Sequence, residues 1–279
     1  MSHPMFDLSG KVAVVSGAAQ GMGRAAAVAV AEAGADVMLV DRNLAGAEAT
    51  AEQIRKLGRK AHVSSCDTSN PEAIAEMFGQ VDATFGRVDF LGNIAGDGYL
   101  AKPEDLAIAD LHRVLQNLVV ARFAMCQEAG RRMLMQGGGS IMNIGSLASS
   151  TALGRGHIAY SMAMGAVLQM TRELSTEWSI RGVRVNAVTP DQVVNPSLQA
   201  RMQQDPTLEA RFLSGIPAGR LGRPADIKGL AVLLASDASQ WITGAIIPMD
   251  GGNLAMNAGG TPGHAGGDVQ TFRAEIMNS

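Results

Sequence analysis

Between about Lys11 and Met249, two kinds of segment alternate along the chain, and they differ in the spacing of their hydrophobic residues. Short runs rich in valine, isoleucine and leucine are typical of strands buried on both faces, and longer segments between them carry apolar residues at helical spacing. Strands are predicted at Val12–Ser16, Asp36–Asp41, Lys60–Cys66, Asp89–Asn93, Ser140–Ile144, Arg184–Val188 and Ala245–Met249. Helices are predicted at Gly23–Ala33, Ala45–Leu57, Pro71–Phe85, Leu106–Met135, Ala159–Ser179 and Pro224–Ala235. Seven strands and six crossovers predict an α/β fold with a doubly wound parallel sheet.

Two stretches do not follow this alternation. Residues 191–223 combine three prolines with short helical patches after the sixth strand, which favours a lid over a ligand; an ordered surface insertion is the alternative. Residues 253–279 are rich in glycine and polar side chains, so we expect a tail that is loose alone or docks on a neighbouring subunit. The rest, residues 1–252, is predicted to form one domain.

Composition narrows the class of partner. The chain has 23 Lys and Arg against 26 Asp and Glu, and its basic residues are scattered, so neither nucleic acid nor a membrane is expected as a partner. Cys66 and Cys126 stand in apolar surroundings without metal-ligand spacing, which predicts buried reduced thiols and no metal site. With no signal-like N-terminus and no long uncharged apolar run, a cytoplasmic protein that binds a small molecule is predicted.

A glycine-rich turn follows the first strand and opens the first helix. Gly17 permits the tight turn, Gly21 lets the backbone approach a pyrophosphate, and Gly23 allows close helix packing. This context predicts a Rossmann-like dinucleotide site formed by the whole turn: Gly17, Gln20, Gly21, Met22 and Gly23. Asp41 ends the second strand, where its carboxylate accepts the ribose hydroxyls and favours NAD(H), with NADP(H) as the less favoured cofactor. Arg42 beside it complicates this preference, and Asp41 as a mere turn cap is the alternative.

The motifs together resemble the short-chain dehydrogenase/reductase family over about residues 5–252. The resemblance rests on Gly17-x-x-x-Gly21-x-Gly23, Asp67, Asn93-Ile94-Ala95-Gly96, Ser146, Tyr160, Asn186-Ala187-Val188-Thr189-Pro190 and Asp250-Gly251-Gly252. It implies that Asp67 meets the adenine, that Asn93, Ala95 and Gly96 lie beside the cofactor ribose, and that Pro190 and Val193 lie at the carboxamide. It also implies a homo-oligomer, a tetramer or a dimer, packed through the two long helices before and after the fifth strand.

The catalytic motif is incomplete. The resemblance implies that Tyr160 exchanges the substrate proton and that Ser146 holds the substrate oxygen, with Ser149 and Ser150 as alternatives because the Ser-to-Tyr spacing is one residue long. The family's lysine position, next to the cofactor ribose, is Met164, and no Lys or Arg lies between Tyr160 and Arg172. The family's helical asparagine falls on Leu118, one residue after Asn117. One residue turns a helix by about 100°, so Asn117 points elsewhere unless the helix is bulged.

Loss of the lysine has a defined chemical cost. A tyrosine ordinarily titrates near pH 10, so only about one part in a thousand is phenolate at pH 7. Alcohol oxidation needs the phenolate as a base, and oxidation by the family route should therefore be slow. Carbonyl reduction needs the neutral phenol, so it remains possible with weaker support of the developing alkoxide.

Further polar residues are candidates for the same pocket. Asn195 stands where the family commonly has a threonine that meets the carboxamide. Asp191 caps the lid or serves as a substitute base, and His157 contacts the lid or takes part in catalysis. Asp97 and Tyr99 follow Gly96 and are predicted to line the pocket.

Three functions remain open from the sequence. The first is an NAD-dependent oxidoreductase with a remodelled site, which reduces a carbonyl-like or conjugated small molecule or oxidises the matching alcohol. The second is a non-redox enzyme, an isomerase or lyase, on the same fold. The third is a cofactor-binding subunit with weak catalysis. The intact turn and Asp41 favour the first, because a scaffold has no need for them.

Overall fold

The computed structural model of the protein describes residues 3–256. At its centre is a seven-stranded sheet in the order β3-β2-β1-β4-β5-β6-β7, with every neighbouring pair parallel. The strands are β1 (Val12–Ser16), β2 (Asp36–Asp41), β3 (Ala61–Ser65), β4 (Phe90–Asn93), β5 (Gly139–Ile144), β6 (Val183–Pro190) and β7 (Ile246–Met249). The predicted doubly wound, Rossmann-like fold is confirmed, with strand ends that differ by a few residues.

Helices cover both faces of the sheet. They are α1 (Gly21–Glu32), α2 (Leu44–Lys56), α3 (Pro71–Phe85), α4 (Ile108–Leu115), α5 (Ala121–Gln136), α6 (Ile158–Trp178), α7 (Pro196–Gln204), α8 (Leu208–Leu213), α9 (Lys228–Ala235) and α10 (Asn253–Met256). Alternate residues of β1 divide between the faces: Val15 packs into the cluster that holds α1, α2 and α9, and Val14 into the one that holds α3, α5 and α6. This alternation explains why all of β1 is buried and apolar up to Ser16.

The long helix predicted at Leu106–Met135 is interrupted. After α4, residues Gln116–Val120 form a π-turn, closed by a bond from the Ala121 N–H to the Gln116 carbonyl, and α5 follows directly. A π-turn accommodates one extra residue without breaking the helix. The bulge that the sequence left open is therefore present.

Residues 191–223 form a small apolar layer between β6 and β7. α7 and α8 pack together through Leu198, Leu208 and Phe212, and a bridge between Val193 and Gly222 joins the two ends of the segment. Part of the segment also lines the cavity described below.

Two further expectations concern the chain as a whole. In the part of the chain that the structure describes, no helix is long and apolar enough to cross a membrane. Of the predicted tail, Asn253–Met256 form α10, and residues 257–279 lie outside the described residues.

Candidate active site

A cavity of about 770 Å³ opens at the carboxyl ends of the strands. The strand order reverses between β1 and β4, which is where doubly wound sheets bind their ligands. One end of the cavity is lined by Gly17 and Gly21 of the glycine turn, and the other by Ser146, Tyr160 and the 191–223 segment. A single cavity therefore joins the predicted cofactor end to the predicted catalytic end.

The glycine turn has the geometry that a bound phosphate needs. Gly17 (φ 70°) and Gly21 (φ 57°) adopt left-handed backbone conformations, which glycine takes without strain. A side chain at Gly23 would lie 2.0 Å from the Gly17 carbonyl oxygen, so α1 packs directly on the turn. Nothing lies within 4 Å of a Cβ built on Gly21. The backbone at the helix N-terminus is thus open to the cavity, together with Gln20 and Met22.

Asp41 both shapes the turn and faces the cavity. Its Oδ2 accepts the Ala19 N–H and its Oδ1 accepts the Asn43 N–H, each at 2.9 Å. The turn-cap alternative and the cavity-facing role are therefore compatible.

Arg42 lies between two acidic groups at the rim of the cavity. Its Nη1 is 4.0 Å from Asp67 and its Nη2 is 3.9 Å from Asp97. Bonds from the Ser69 N–H and hydroxyl lower the pKa of Asp67.

The residues at the end of β4 and just after it differ in whether they line the cavity. Ala95 and Gly96 line the cavity as expected. Asn93 does not: its side chain is 2% exposed and donates to the Arg122 carbonyl at 3.0 Å and to Asn143 Oδ1 at 3.1 Å. Asn93 thus ties β4 to α5 and β5 beneath the site.

Ser146 and Tyr160 both line the cavity. Ser146 lines the cavity and its hydroxyl accepts the Ala148 N–H at 3.1 Å, whereas Ser149 and Ser150 are absent from the lining. Tyr160 is half-buried on α6. The His157 ring stands edge-on to the tyrosine at 6.3 Å between centroids, and its Nδ1 lies 2.8 Å from the Gly154 carbonyl oxygen. Of the three candidate serines, Ser146 is the one that lines the cavity.

Met164 and Leu118, the two residues predicted to depart from the family pattern, are close to each other. Met164 is 1% exposed and packs in an apolar cluster with Leu118 and the partly buried Tyr160. It lies behind the cavity wall rather than in it, contrary to the expectation of a contact with the cofactor ribose. Leu118 and Asn117 both line the cavity, and the Asn117 amide donates to the Asp97 carbonyl at 2.7 Å. The π-turn thus directs Asn117 toward the loop after β4.

The end of β6 supplies Pro190, Val193 and Asn195 to the cavity. Asn195 is the N-cap of α7, since its Oδ1 accepts the Leu198 N–H at 2.9 Å. Asp191 was expected to cap this segment; it instead accepts a bond from Asn253 at 2.8 Å, and burial raises the pKa of its carboxyl group.

The last two candidates, Asp97 and Tyr99, lie on the loop after β4. Asp97 lines the cavity, as expected. Tyr99 does not: it is exposed and lies under the Arg113 guanidinium at 5.2 Å. Within residues 3–256, no cluster of side chains could hold a metal ion.

Arg122 on α5 is a charged residue of the cavity lining that sequence reasoning missed. It is 3% exposed, and burial lowers the pKa of its guanidinium to about 10. A signal was available: Arg122 is the one charged residue in a buried stripe that runs from Val114 and Leu118 to Met125, Ala129 and Met133.

The fold and the cavity define a dinucleotide-binding oxidoreductase, and known proteins agree. A family model described as Enoyl-(Acyl carrier protein) reductase matches residues 17–253. The D-threitol dehydrogenase of Mycolicibacterium smegmatis is 42% identical over 88% of this chain and 94% of its own length.

Two solved structures share the fold and carry cofactors. A 7α-hydroxysteroid dehydrogenase in complex with NADH and 7-oxo glycochenodeoxycholic acid is 30% identical, with a TM-score of 0.85 over 90% of this chain and 98% of that one. A protein from Beutenbergia cavernae, solved with NADP at low occupancy, is 37% identical, with a TM-score of 0.84 over 90% and 99%. The chain belongs to the short-chain dehydrogenase/reductase family and is an oxidoreductase that acts on small molecules.

Proposed function

We propose that the protein is an NAD(H)-dependent oxidoreductase that interconverts a carbonyl, simple or conjugated, and the matching alcohol through Tyr160 and Ser146. The observation that carries this proposal is the single cavity that runs from the glycine turn to these two hydroxyl groups. The non-redox alternatives have no comparable observation in their favour.

The residues present fit a nicotinamide dinucleotide. The open backbone at Gly21 suits the pyrophosphate, the Asp41 carboxylate suits the ribose hydroxyls, and Asn195 suits the carboxamide at the other end. The Asp41 carboxylate, and the position of Arg42 between Asp67 and Asp97, favour NAD(H) over NADP(H). When bound, the cofactor supplies the hydride chemistry that side chains lack.

The chain's own residues handle the substrate oxygen and its proton. In reduction, the Tyr160 O–H bond breaks as its proton passes to the carbonyl oxygen, and the Ser146 hydroxyl donates a hydrogen bond to the same atom. In oxidation, the Tyr160 phenolate takes the proton back. The 191–223 segment lies at this end, where Ser197, Leu198 and Arg201 line the cavity.

The proposal also includes assembly into a homo-oligomer and a location in the cytoplasm. Apolar side chains are exposed on the two long helices, among them Phe123 and Met135 on α5 and Met162 on α6, and they support a homo-oligomer, a tetramer or a dimer. Cys66 and Cys126 are both buried free thiols, as a protein of the reducing cytoplasm would have.

The test is a fluorescence titration with NADH and NADPH, followed by a screen of NAD⁺ reduction with polyols, hydroxy acids and hydroxysteroids. We expect micromolar binding of NADH, weaker binding of NADPH, and turnover with one substrate class. Polyols come first in the screen because of the likeness to D-threitol dehydrogenase. If neither cofactor bound, the proposal would be wrong.

A further inference from the structure

The helix that carries Tyr160 provides no positive charge near it. Met164 is buried among apolar side chains, and the next basic residue along α6 is Arg172, three turns beyond Tyr160. Any cation that acts on the phenol must therefore come from another element.

Arg122 on α5 and Tyr160 line the same cavity, and both pack against the loop after β4: a Cβ built on Gly98 would lie 2.6 Å from Cδ2 of the Tyr160 ring. Arg122 donates from Nη1 to the Leu118 carbonyl in the π-turn at 3.1 Å, and its Nε is buried without a hydrogen-bond partner. A Cβ built on Gly96 would lie 3.2 Å from Nη1 and 3.4 Å from Nη2, so the guanidinium packs against the Gly96 backbone. Within residues 3–256, no carboxylate forms an ion pair with Arg122.

A buried guanidinium without a counter-ion is costly to the fold. Desolvation of an unpaired ion disfavours its charged form, and here it lowers the pKa of Arg122 to about 10. The side chain nevertheless stays protonated at neutral pH, and the neighbouring Tyr160 opposes the lowering of the pKa. Costly charges that structure alone does not require occur mostly at functional sites.

We propose that Arg122 supplies, from α5, the positive charge that stabilises the Tyr160 phenolate in place of the missing lysine. Arg122 is then a positioning residue that acts through Tyr160. In alcohol oxidation the substrate O–H bond breaks and the Tyr160 O–H bond forms, while the guanidinium keeps its protons. The proposal rests on the proposed function for its catalytic meaning, but its electrostatic part can be tested separately.

The other charged groups around the cavity do not take this role. Arg42 is exposed and lies between two carboxylates, and Arg201 on α7 is exposed, so water screens both. Asp97 and Asp191 line the cavity and oppose formation of a phenolate. His157, the N-cap residue of α6, stands edge-on to the phenol ring.

Cys126 packs behind Arg122 and stays neutral. Burial raises the pKa of its thiol to about 12, so it provides no negative charge beside the guanidinium at neutral pH. Of the groups around Tyr160, Arg122 is the buried cation, where low dielectric strengthens its effect.

The sequence allows a direct optical test, because it contains only two tyrosines. Tyr99→Phe leaves Tyr160 as the single phenol, and its ionisation can be followed by tyrosinate absorbance. In this background, Arg122→Met should move the half-ionisation pH upward by about one unit or more, and Arg122→Lys should leave it near the parent value. Adding Met164→Lys to Arg122→Met should move it back down.

A matched control removes a buried arginine elsewhere. Arg184→Met deletes a largely buried guanidinium at the opposite end of the sheet, near Ser239, and should leave the tyrosine titration unchanged. An Arg122→Met protein that titrates like its parent would overturn the proposal. So would an equal shift in the Arg184→Met control, since it would reveal a general effect of destabilisation.

Kinetics complete the test. Arg122→Met should lower the rate of alcohol oxidation at neutral pH at least about tenfold and move its pH profile to the alkaline side, with NADH binding retained. An unchanged pH profile would contradict the inference. Failure of the parent to bind NADH would instead contradict the proposed function, and the optical titration would still decide the role of Arg122.

Discussion

Tyr160 and Tyr99 can be separated by their surroundings. Tyr160 lines the cavity, whereas Tyr99 is exposed beneath Arg113. Tyr160→Phe should lower turnover by about a hundredfold or more, because a positioned acid–base group contributes about 10²–10⁴-fold to rate. Initial rates with saturating NAD(H) measure this effect.

Tyr99→Phe is the control for that variant. It removes a phenol outside the cavity and should keep turnover near that of the parent. Cofactor titration of Tyr160→Phe should show intact binding, since the glycine turn is far along the cavity. Retained turnover in Tyr160→Phe would exclude Tyr160 from the chemistry.

The charge at Asp41 governs the predicted choice of cofactor. Asp41→Asn keeps one oxygen to accept a backbone N–H of the turn and removes the carboxylate that repels a 2′-phosphate. The NADH preference should fall about tenfold, a change of about 1.4 kcal/mol in relative binding free energy. Paired titrations with NADH and NADPH measure it, and an unaltered ratio would assign Asp41 to the turn alone.

At the residue scale, local motifs could be predicted from the sequence, but contacts between residues that are distant along the chain could not. The glycine turn, Asp41, Ser146 and Tyr160 could be brought together in one predicted site because each stands at a fixed offset from a predicted strand or helix, and all of them line the cavity. Arg122 was missed because its position in an apolar helical stripe resembles core packing, and its proximity to Tyr160 depends on how α5 and α6 meet. Asn93 was placed at the cofactor by its motif, although its amide is used within the core.

Elements were predicted with unequal success for a similar reason. β1 and β2 have the predicted bounds because their buried runs are local and end at polar residues. The helix expected at Leu106–Met135 has a π-turn because its central residues make long-range contacts. Leu118 packs against the cluster of Met164, and Asn117 bonds the loop after β4. The helical spacing of apolar residues in the sequence gives no information about those contacts.

The Asp226 carboxylate binds the C-terminal end of the 191–223 segment. Asp226 accepts two bonds from Arg220, at 2.7 and 3.0 Å, and the Arg223 N–H at 2.7 Å. The Arg220 bond is the main cause that lowers the pKa of Asp226. Because the folded-state pKa is lowered, this stabilisation is present above the ordinary pKa of 3.8 and is lost as pH falls through the lowered value.

Asp226→Asn should therefore destabilise the protein at neutral pH by about 1 kcal/mol, a figure that allows for solvent screening of the partly exposed pair. The deficit should shrink as the medium becomes acidic. Urea unfolding of both proteins across this pH range measures it. A deficit that persists unchanged in acid would mean that the asparagine disturbs the capping geometry rather than the charge.

For the whole molecule, the exposed apolar side chains of α5 and α6 predict assembly. Phe123→Glu places a charge among them and should shift the protein to a smaller species in light scattering coupled to size exclusion. Leu57→Glu, on an exposed apolar residue just after α2, is the matched control and should leave the mass unchanged. A parent that runs as a monomer would contradict the expected homo-oligomer.

The division of Tyr160 and Arg122 between two helices bears on how such chains are classified. The predicted register of the catalytic motif puts Met164 at the lysine position, so a survey that reads the lysine column of an alignment would count this chain among the pseudoenzymes. On the proposal made for Arg122, the ancestral charge has instead moved to a different helix. The loss of a motif residue then records divergence of the sequence and does not by itself show a loss of activity. Inactive members of such families are better identified by the charges around the catalytic tyrosine.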